Sequence, residues 1–333
     1  MPFLKSLICA FIVICSLPAF AQTEEKTNSI LKAWRDWAGK HNIDQTAITI
    51  GHNGTILASD GIGRDPNTAY PIASLSKAIT AVCLHQIATE KNVDLHAPLG
   101  DLQAEFSKVN ITIPDAIKDR TLASVITMSS GLKPDSTVGF FNNSYRYGDT
   151  RNIGFSLGAL KAPNRKGSAG DFFYNNGNYA LLGALLEALS GTDNVTACKD
   201  RVFPEGHRDT PKFDDEWIAL AGFGGWEAST VDFTAFVMSV FGPESEVAQN
   251  IETLPKYRDL LDGWGYSLGT FFRTRTPQNI YWHKGALCGT TGGDQGAYFG
   301  YYPSGYAITM VYDVCGIDPL SNDLDNVLYN AAN

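Results

Sequence analysis

Apolar positions along the chain recur with two periods, and together they predict most of its elements. From Ser29 to Lys40, Ile30, Leu31, Trp34 and Trp37 fall on one face of a helix. From Ser74 to Lys91 a largely apolar helix carries Ile79, Val82, Cys83 and Ile87. Leu181, Leu182, Leu185, Leu186 and Leu189 have helical spacing over 176–190, and Gly191 closes that helix. Further helices are expected near Val231–Phe241 and from Leu320 to Ala332. The β-rich runs Thr46–Gly51 and Thr55–Ser59 flank His52-Asn53-Gly54, and Asn-Gly between such runs signals a hairpin. Other strands are expected near Gly265–Arg273, Ile280–Ala286, Ala297–Tyr302 and Tyr306–Val314.

The region from about 92 to 215 mixes short helical runs with Gly/Pro/Asn-rich loops, notably Lys133 to Asp171, and no repeat runs through the chain. Strands therefore lie at both ends, with helix-and-loop material between them. An antiparallel sheet needs its strands together, so the two ends must close on each other. The expected fold class is α+β: an antiparallel sheet flanked by helices, with an inserted, mostly helical lobe. Residues 22–91 and 215–333 would form the sheet lobe and 92–214 the helix-and-loop lobe, with a site in the cleft between them.

Residues 1–21 change where that fold begins. Lys5, an apolar run from Leu7 to Leu17, Pro18 and then Ala19-Phe20-Ala21 are the parts of a cleavable secretory signal, with cleavage near Ala21 and a secreted or periplasmic product. Cys9 and Cys15 each follow Ile, which argues against a lipoprotein anchor. Cys83, Cys198, Cys288 and Cys315 remain and allow three full disulfide connectivities, with Cys288–Cys315 preferred because both lie in the strand-rich region. The six His form no H-x-H or H-E-x-x-H pattern and no C-x-x-C occurs, so no metal site is expected. A net charge of −9 leaves no electrostatic footprint for nucleic acid, so no such partner is expected, and outside the N-terminus no apolar run is long enough to span a membrane.

The sharpest chemical feature is Ala73-Ser74-Leu75-Ser76-Lys77. Residues three apart share a helix face, so Lys77 can reach the Ser74 hydroxyl. A serine hydroxyl attacks only when a base takes its proton, and a desolvated lysine can serve. S-x-x-K also occurs at Ser29–Lys32 and Ser130–Lys133, but only Ser74 opens a long buried helix after a strand-rich segment.

Around these residues the sequence resembles the serine β-lactamase and penicillin-binding-protein superfamily, in its class C, D-alanyl-D-alanine carboxypeptidase and esterase branch. Tyr70–Ala81 is similar to the nucleophile segment, and Met128-Ser129-Ser130-Gly131-Leu132 stands where the family has "HTSGL". Tyr174-Asn175-Asn176 resembles the Y-x-N motif, Ala221–Thr230 the Gly-Gly…Ser-Thr turn, and Trp282-His283-Lys284-Gly285 the K-T-G or H-x-G strand. The likeness covers most of residues 44–315 and implies a β-lactamase/transpeptidase-like fold.

It also implies two-step acyl transfer. Ser74 would attack a carbonyl while Lys77 and Tyr174 relay its proton, through neutral Lys77 or ionised Tyr174. His283 would line the opposite wall, its charge changing activity between about pH 5.5 and 7.5. Backbone N–H groups of Ser74 and Ala286 would form an oxyanion hole. Asn176, Lys284, Gly285 and Ala286 would bind substrate, with Asn176 standing also where a helix cap would. The implied partner is a small-molecule or peptide substrate, peptidoglycan-derived peptides among them, with no cofactor, and the oligomeric state is open. His283 in place of the family lysine favours a peptide, amide or ester substrate over efficient β-lactam turnover. A class C β-lactamase and a non-turnover sensor remain the alternatives.

Overall fold

The structure, a computed structural model, describes residues 3–132, 135, 137, 160, 169–213, 220–250, 253–260, 263–275, 279–289, 293–316 and 320–333; for 3–20, 258 and 259 it describes the backbone alone. Most of the expected loop 133–171 lies outside the described residues, as does Lys133 of the third S-x-x-K. Helix α1 (Phe3–His41) leads into the hairpin β1 (Thr46–His52) and β2 (Thr55–Ile62), which turns at Asn53 (φ 47°) and Gly54 (φ 83°). A short strand β3 (Tyr70–Pro71) precedes a 3-10 turn (Ala73–Leu75) and helix α2 (Ser76–Lys91). Helices α3 (Gln103–Ser107), α4 (Leu122–Ile126), α5 (Asn176–Ser190) and α6 (Asn194–Val202) make up the helical material that follows. Then come β4 (Lys212–Phe213), β5 (Trp226–Ala228), α7 (Thr230–Phe241) and α8 (Glu246–Asn250). The chain closes with β6 (Lys256–Leu260), β7 (Trp264–Ser267), β8 (Thr270–Arg273), β9 (Ile280–Leu287), β10 (Gln295–Tyr301), β11 (Tyr306–Tyr312) and helix α9 (Leu320–Ala332).

Eight strands form one antiparallel sheet in the order β2-β1-β11-β10-β9-β8-β7-β6. The N-terminal hairpin pairs with the C-terminal strand β11, so the ends of the chain do close on each other. Every residue of β11 is buried, which requires apolar cover on both faces of the sheet. One face is covered by α1 and α9: Ile30, Trp34, Trp37, Leu324 and Leu328 pack on Ile48, Ile308, Met310 and Trp282. The other packs on α2, α5 and α7, where Ile79, Leu182 and Phe236 meet Ala47, Ala307, Val311 and Tyr281. Disulfides join Cys83 to Cys198, tying α2 to α6, and Cys288 to Cys315, the pairing favoured from position.

Two elements differ from expectation. Helix α1 does not start at Ser29 but runs unbroken through Ala21, because no Gly or Pro interrupts Ala19–Ala38. The expected strand Gly265–Arg273 is two strands. Leu268 (φ 44°) and Gly269 (φ 77°) turn the chain, and a Cβ on Gly269 would stand 2.2 Å from the Lys77 carbonyl oxygen. The hairpin therefore rests directly on the backbone of α2.

Candidate active site

Ser74 sits in the 3-10 turn that feeds α2, half-buried, and its side chain makes no helix cap. Ala73 before it holds φ 49°, a left-handed conformation that costs energy in a non-glycine residue and marks a constrained turn. One turn on, Lys77 is fully buried, with Nζ 2.9 Å from Ser74 Oγ and 2.8 Å from the Phe223 carbonyl oxygen. That carbonyl is presented by the turn Leu220–Gly225, whose amides at Phe223, Gly224 and Gly225 all donate to Leu220 O. Burial lowers the Lys77 pKa from 10.5 to about 7, against the opposing pull of Asp135. Beyond the turn, Ser229 caps α7 by accepting from the Asp232 amide, which gives the Ser-Thr pair a structural role.

Tyr174 stands beside the same hydroxyl, close enough for Ser74 to act on its phenol, and its ring lies 4.9 Å from Lys77 Nζ. Two neighbouring segments hold it. The Phe173 amide donates to Met128 O, Asn175 Nδ2 donates to Leu132 O at 2.6 Å, and Ser130 Oγ donates to Asn178 Oδ1 at 2.5 Å. Ser130 is thus committed to structure, and Ser29 is exposed on α1, so neither of the other S-x-x-K serines resembles Ser74. Burial raises the Tyr174 pKa, although the nearby Ser74 hydroxyl opposes this. Of the two protonation schemes left open by the sequence, the structure favours a neutral lysine beside a neutral phenol.

The helix cap expected at Asn176 belongs to Asn175, whose Oδ1 accepts from the Gly177 amide at 2.7 Å. Asn176 instead joins a ring of hydrogen bonds with two residues not singled out from sequence. Its amide donates to Asp135 Oδ2 (3.0 Å), Thr137 Oγ1 donates to Asp135 Oδ1 (2.7 Å), and Asn176 Nδ2 donates to Thr137 Oγ1 (3.0 Å).

Strand β9 forms the facing wall. His283 and Gly285 share one face of the strand by alternation. A Cβ at Gly285 would stand 2.7 Å from Ile72 O and 3.0 Å from the Ala73 Cβ, so only glycine lets β9 lie against the Ala73–Leu75 turn. Pairing of β8 with β9 ends at Trp282, leaving the His283–Leu287 stretch of that edge uncovered by β8, with Ala286 on it. The ring of His283 is 5.9 Å from Tyr174 and 5.4 Å from Phe271, and Phe271 stacks on Tyr174 at 6.4 Å.

His283 is buried, and its Nδ1 lies 2.7 Å from Lys284 O. Burial first, then the charge of Lys77, lowers its pKa to about 3. The imidazole is therefore neutral throughout the neutral range, which corrects the expectation that its charge changes between pH 5.5 and 7.5. Lys284 is also corrected as a substrate ligand. Alternation turns it to the α9 side of the sheet, where Nζ donates to Asn322 Oδ1 at 2.6 Å.

Asp135 and Thr137 fall in a stretch with no helix or strand period, and only the Pro134-Asp135 turn signal marked it. Phe223 acts through its backbone, for which a sequence offers no side-chain signal. Among the described residues no group of His, Cys, Asp and Glu is arranged to hold a metal.

A Ser–Lys pair one helical turn apart, with a tyrosine beside the same hydroxyl and β9 as the facing wall, is the arrangement of a serine acyl-transfer enzyme. The family model described as Beta-lactamase matches residues 22–314, and the chain belongs to this family of serine hydrolases. Its fold is similar to that of a penicillin-binding protein homologue from Pyrococcus abyssi (TM-score 0.70, 18% identity, 92% of this chain and 76% of that one). It is likewise similar to a beta-lactamase/D-alanine carboxypeptidase from Pseudomonas syringae (TM-score 0.69, 14% identity, 91% and 98%). A third likeness is to a D-amino acid amidase from Ochrobactrum anthropi SV3 complexed with L-phenylalanine amide (TM-score 0.68, 14% identity, 92% and 98%).

Proposed function

We propose that the protein is an exported serine hydrolase that cleaves a peptide, amide or ester through an acyl intermediate on Ser74. The observation that carries this reading is the buried Lys77 Nζ at 2.9 Å from Ser74 Oγ. Neutral Lys77 accepts the hydroxyl proton as Ser74 Oγ bonds to the carbonyl carbon, and Phe223 O keeps the amine aimed. Tyr174, a neutral phenol beside the same hydroxyl, passes the proton on to the leaving group. The Ser74 and Ala286 N–H groups stabilise the oxyanion, a pair of donors contributing about 3–4 kcal/mol each. Water then attacks the acyl-serine by the reverse route.

Export is supported by the signal-like residues 1–21, by a family match that begins at residue 22, and by two disulfides. The aim of Lys284 toward α9 removes the cation that would hold a β-lactam carboxylate, so esters and amides are favoured over penicillins. The test is product release from a p-nitrophenyl ester. Sustained release over many equivalents, lost in Ser74→Ala, is expected; a single stoichiometric burst would leave a sensor that acylates without turnover.

A further inference from the structure

We infer that the site selects an amide or ester bearing a free amino group close to the scissile carbonyl, in its ammonium form, and discriminates against substrates that bring a carboxylate there. The inference rests on the acyl-serine reading above and names the substrate class of that same site.

At His283, the carbonyl of Lys284 can only accept, so Nδ1 carries the ring proton. In the neutral ring Nε2 is then a bare acceptor. It is buried and has no hydrogen-bond partner among the described residues. At Asn176 the orientation of the amide is fixed in the same manner. Thr137 Oγ1 uses its one proton on Asp135, so it can only accept from Asn176, which must present Nδ2. Asn176 Oδ1 is therefore the free end, and it too is buried with no partner among the described residues. The third group is the Asp135 carboxylate, near enough for its charge to act on both Lys77 and Tyr174.

Among the described residues, the two lysines of the site are engaged elsewhere. Lys77 is engaged with Ser74 and Phe223 O, and Lys284 is turned to Asn322. Among the described residues the site thus offers unmatched acceptors and a negative charge. A buried acceptor left unmatched is costly, and the ligand that relieves it must bring N–H donors. An ammonium brings three donors and a charge opposite to that of Asp135. A carboxylate would set acceptor against acceptor, beside a like charge.

The experiment compares kcat/KM at pH 7 for alanine p-nitroanilide with its N-acetyl and N-succinyl derivatives, each in both enantiomers, with p-nitrophenyl acetate as a neutral reference. The free-amine substrate should exceed its N-acetyl counterpart by roughly 10–100-fold, with the N-succinyl form poorest. In Asp135→Asn that ratio should fall about 10-fold or more, in protein shown by its melting curve to be folded. The wild-type ratio decides even where the variant does not fold. N-acetyl or N-succinyl substrates cleaved as well as the free amine, with p-nitrophenyl acetate still turned over, would overturn this inference and leave the hydrolase intact. Absence of Ser74-dependent turnover with every substrate would overturn both.

Discussion

The pH dependence of acylation follows directly from the burial of Lys77. The perturbation is pH itself, and the base is a lysine whose pKa falls from 10.5 to about 7 on burial. At 1.36 kcal/mol per unit, that is a cost of about 5 kcal/mol for charging the amine in place. With a value of about 7, the neutral fraction is about 9% at pH 6 and about 91% at pH 8; an ordinary lysine would be about 0.3% neutral at pH 8. kcat/KM for a neutral p-nitrophenyl ester, corrected for spontaneous hydrolysis, should therefore rise about tenfold per pH unit below 7 and reach a plateau near pH 8. His283, at about 3, adds no limb between pH 5 and 9, and Tyr174, raised by burial, gives no fall at the alkaline end of that range. His283→Asn should consequently keep the limb and its midpoint. A midpoint at or above 9, or a limb that disappears with His283, would refute the reasoning.

Three further outcomes are expected. Because the Lys77 value is lower in the folded than in the unfolded chain, the unfolded chain binds more protons between about pH 7 and 10.5. Stability therefore rises with pH across that window, and the penalty is fully present below it. Lys77→Met should abolish acylation yet raise the melting temperature by about 2–4 °C at pH 6, with a smaller gain at pH 9; a lower melting temperature at pH 6 would contradict this. Gly285→Ala pushes a Cβ against Ile72 O and should reduce kcat/KM by about 100-fold through displacement of the nucleophile turn, while a loss under twofold would show that β9 does not position Ser74. Cys83 and Cys198 are 115 residues apart and Cys288 and Cys315 only 27, which correspond to about 5 and about 3.5 kcal/mol of loop entropy. The double alanine variant of the first pair should thus melt lower than that of the second, and the reverse order would count against the entropic account.

What was legible in the sequence was whatever repeats along an element. Helices α2 and α5 and the Asn53-Gly54 hairpin follow from apolar spacing and turn chemistry, and the order of motifs placed Ser74, Lys77 and Tyr174 in one family pattern. Strand β6 went unread because Lys256, Arg258 and Asp259 break its apolar character. Strands β7 and β8 merged into one because Leu268 gives no hint that it adopts a left-handed backbone. In the site, both His283 and Lys284 were expected to meet substrate; which of the two faces the cleft depends on the long-range approach of β9 to the Ala73–Leu75 turn. The capping shift from Asn176 to Asn175 is a difference of one residue that only backbone geometry resolves. The charge state of His283 depended on burial and on Lys77, two things that the local sequence does not hold.

The central claim, that Ser74 is the acylated nucleophile and Lys77 its base, is tested most directly by mapping a covalent adduct. The protein is treated with a fluorophosphonate at pH 8, and the modified peptide is located by mass spectrometry. The account predicts one adduct per chain, on the peptide containing Ser74, and labelling reduced to background in Lys77→Met. An adduct on Ser29 or Ser130, or labelling that persists at full rate without Lys77, would contradict it.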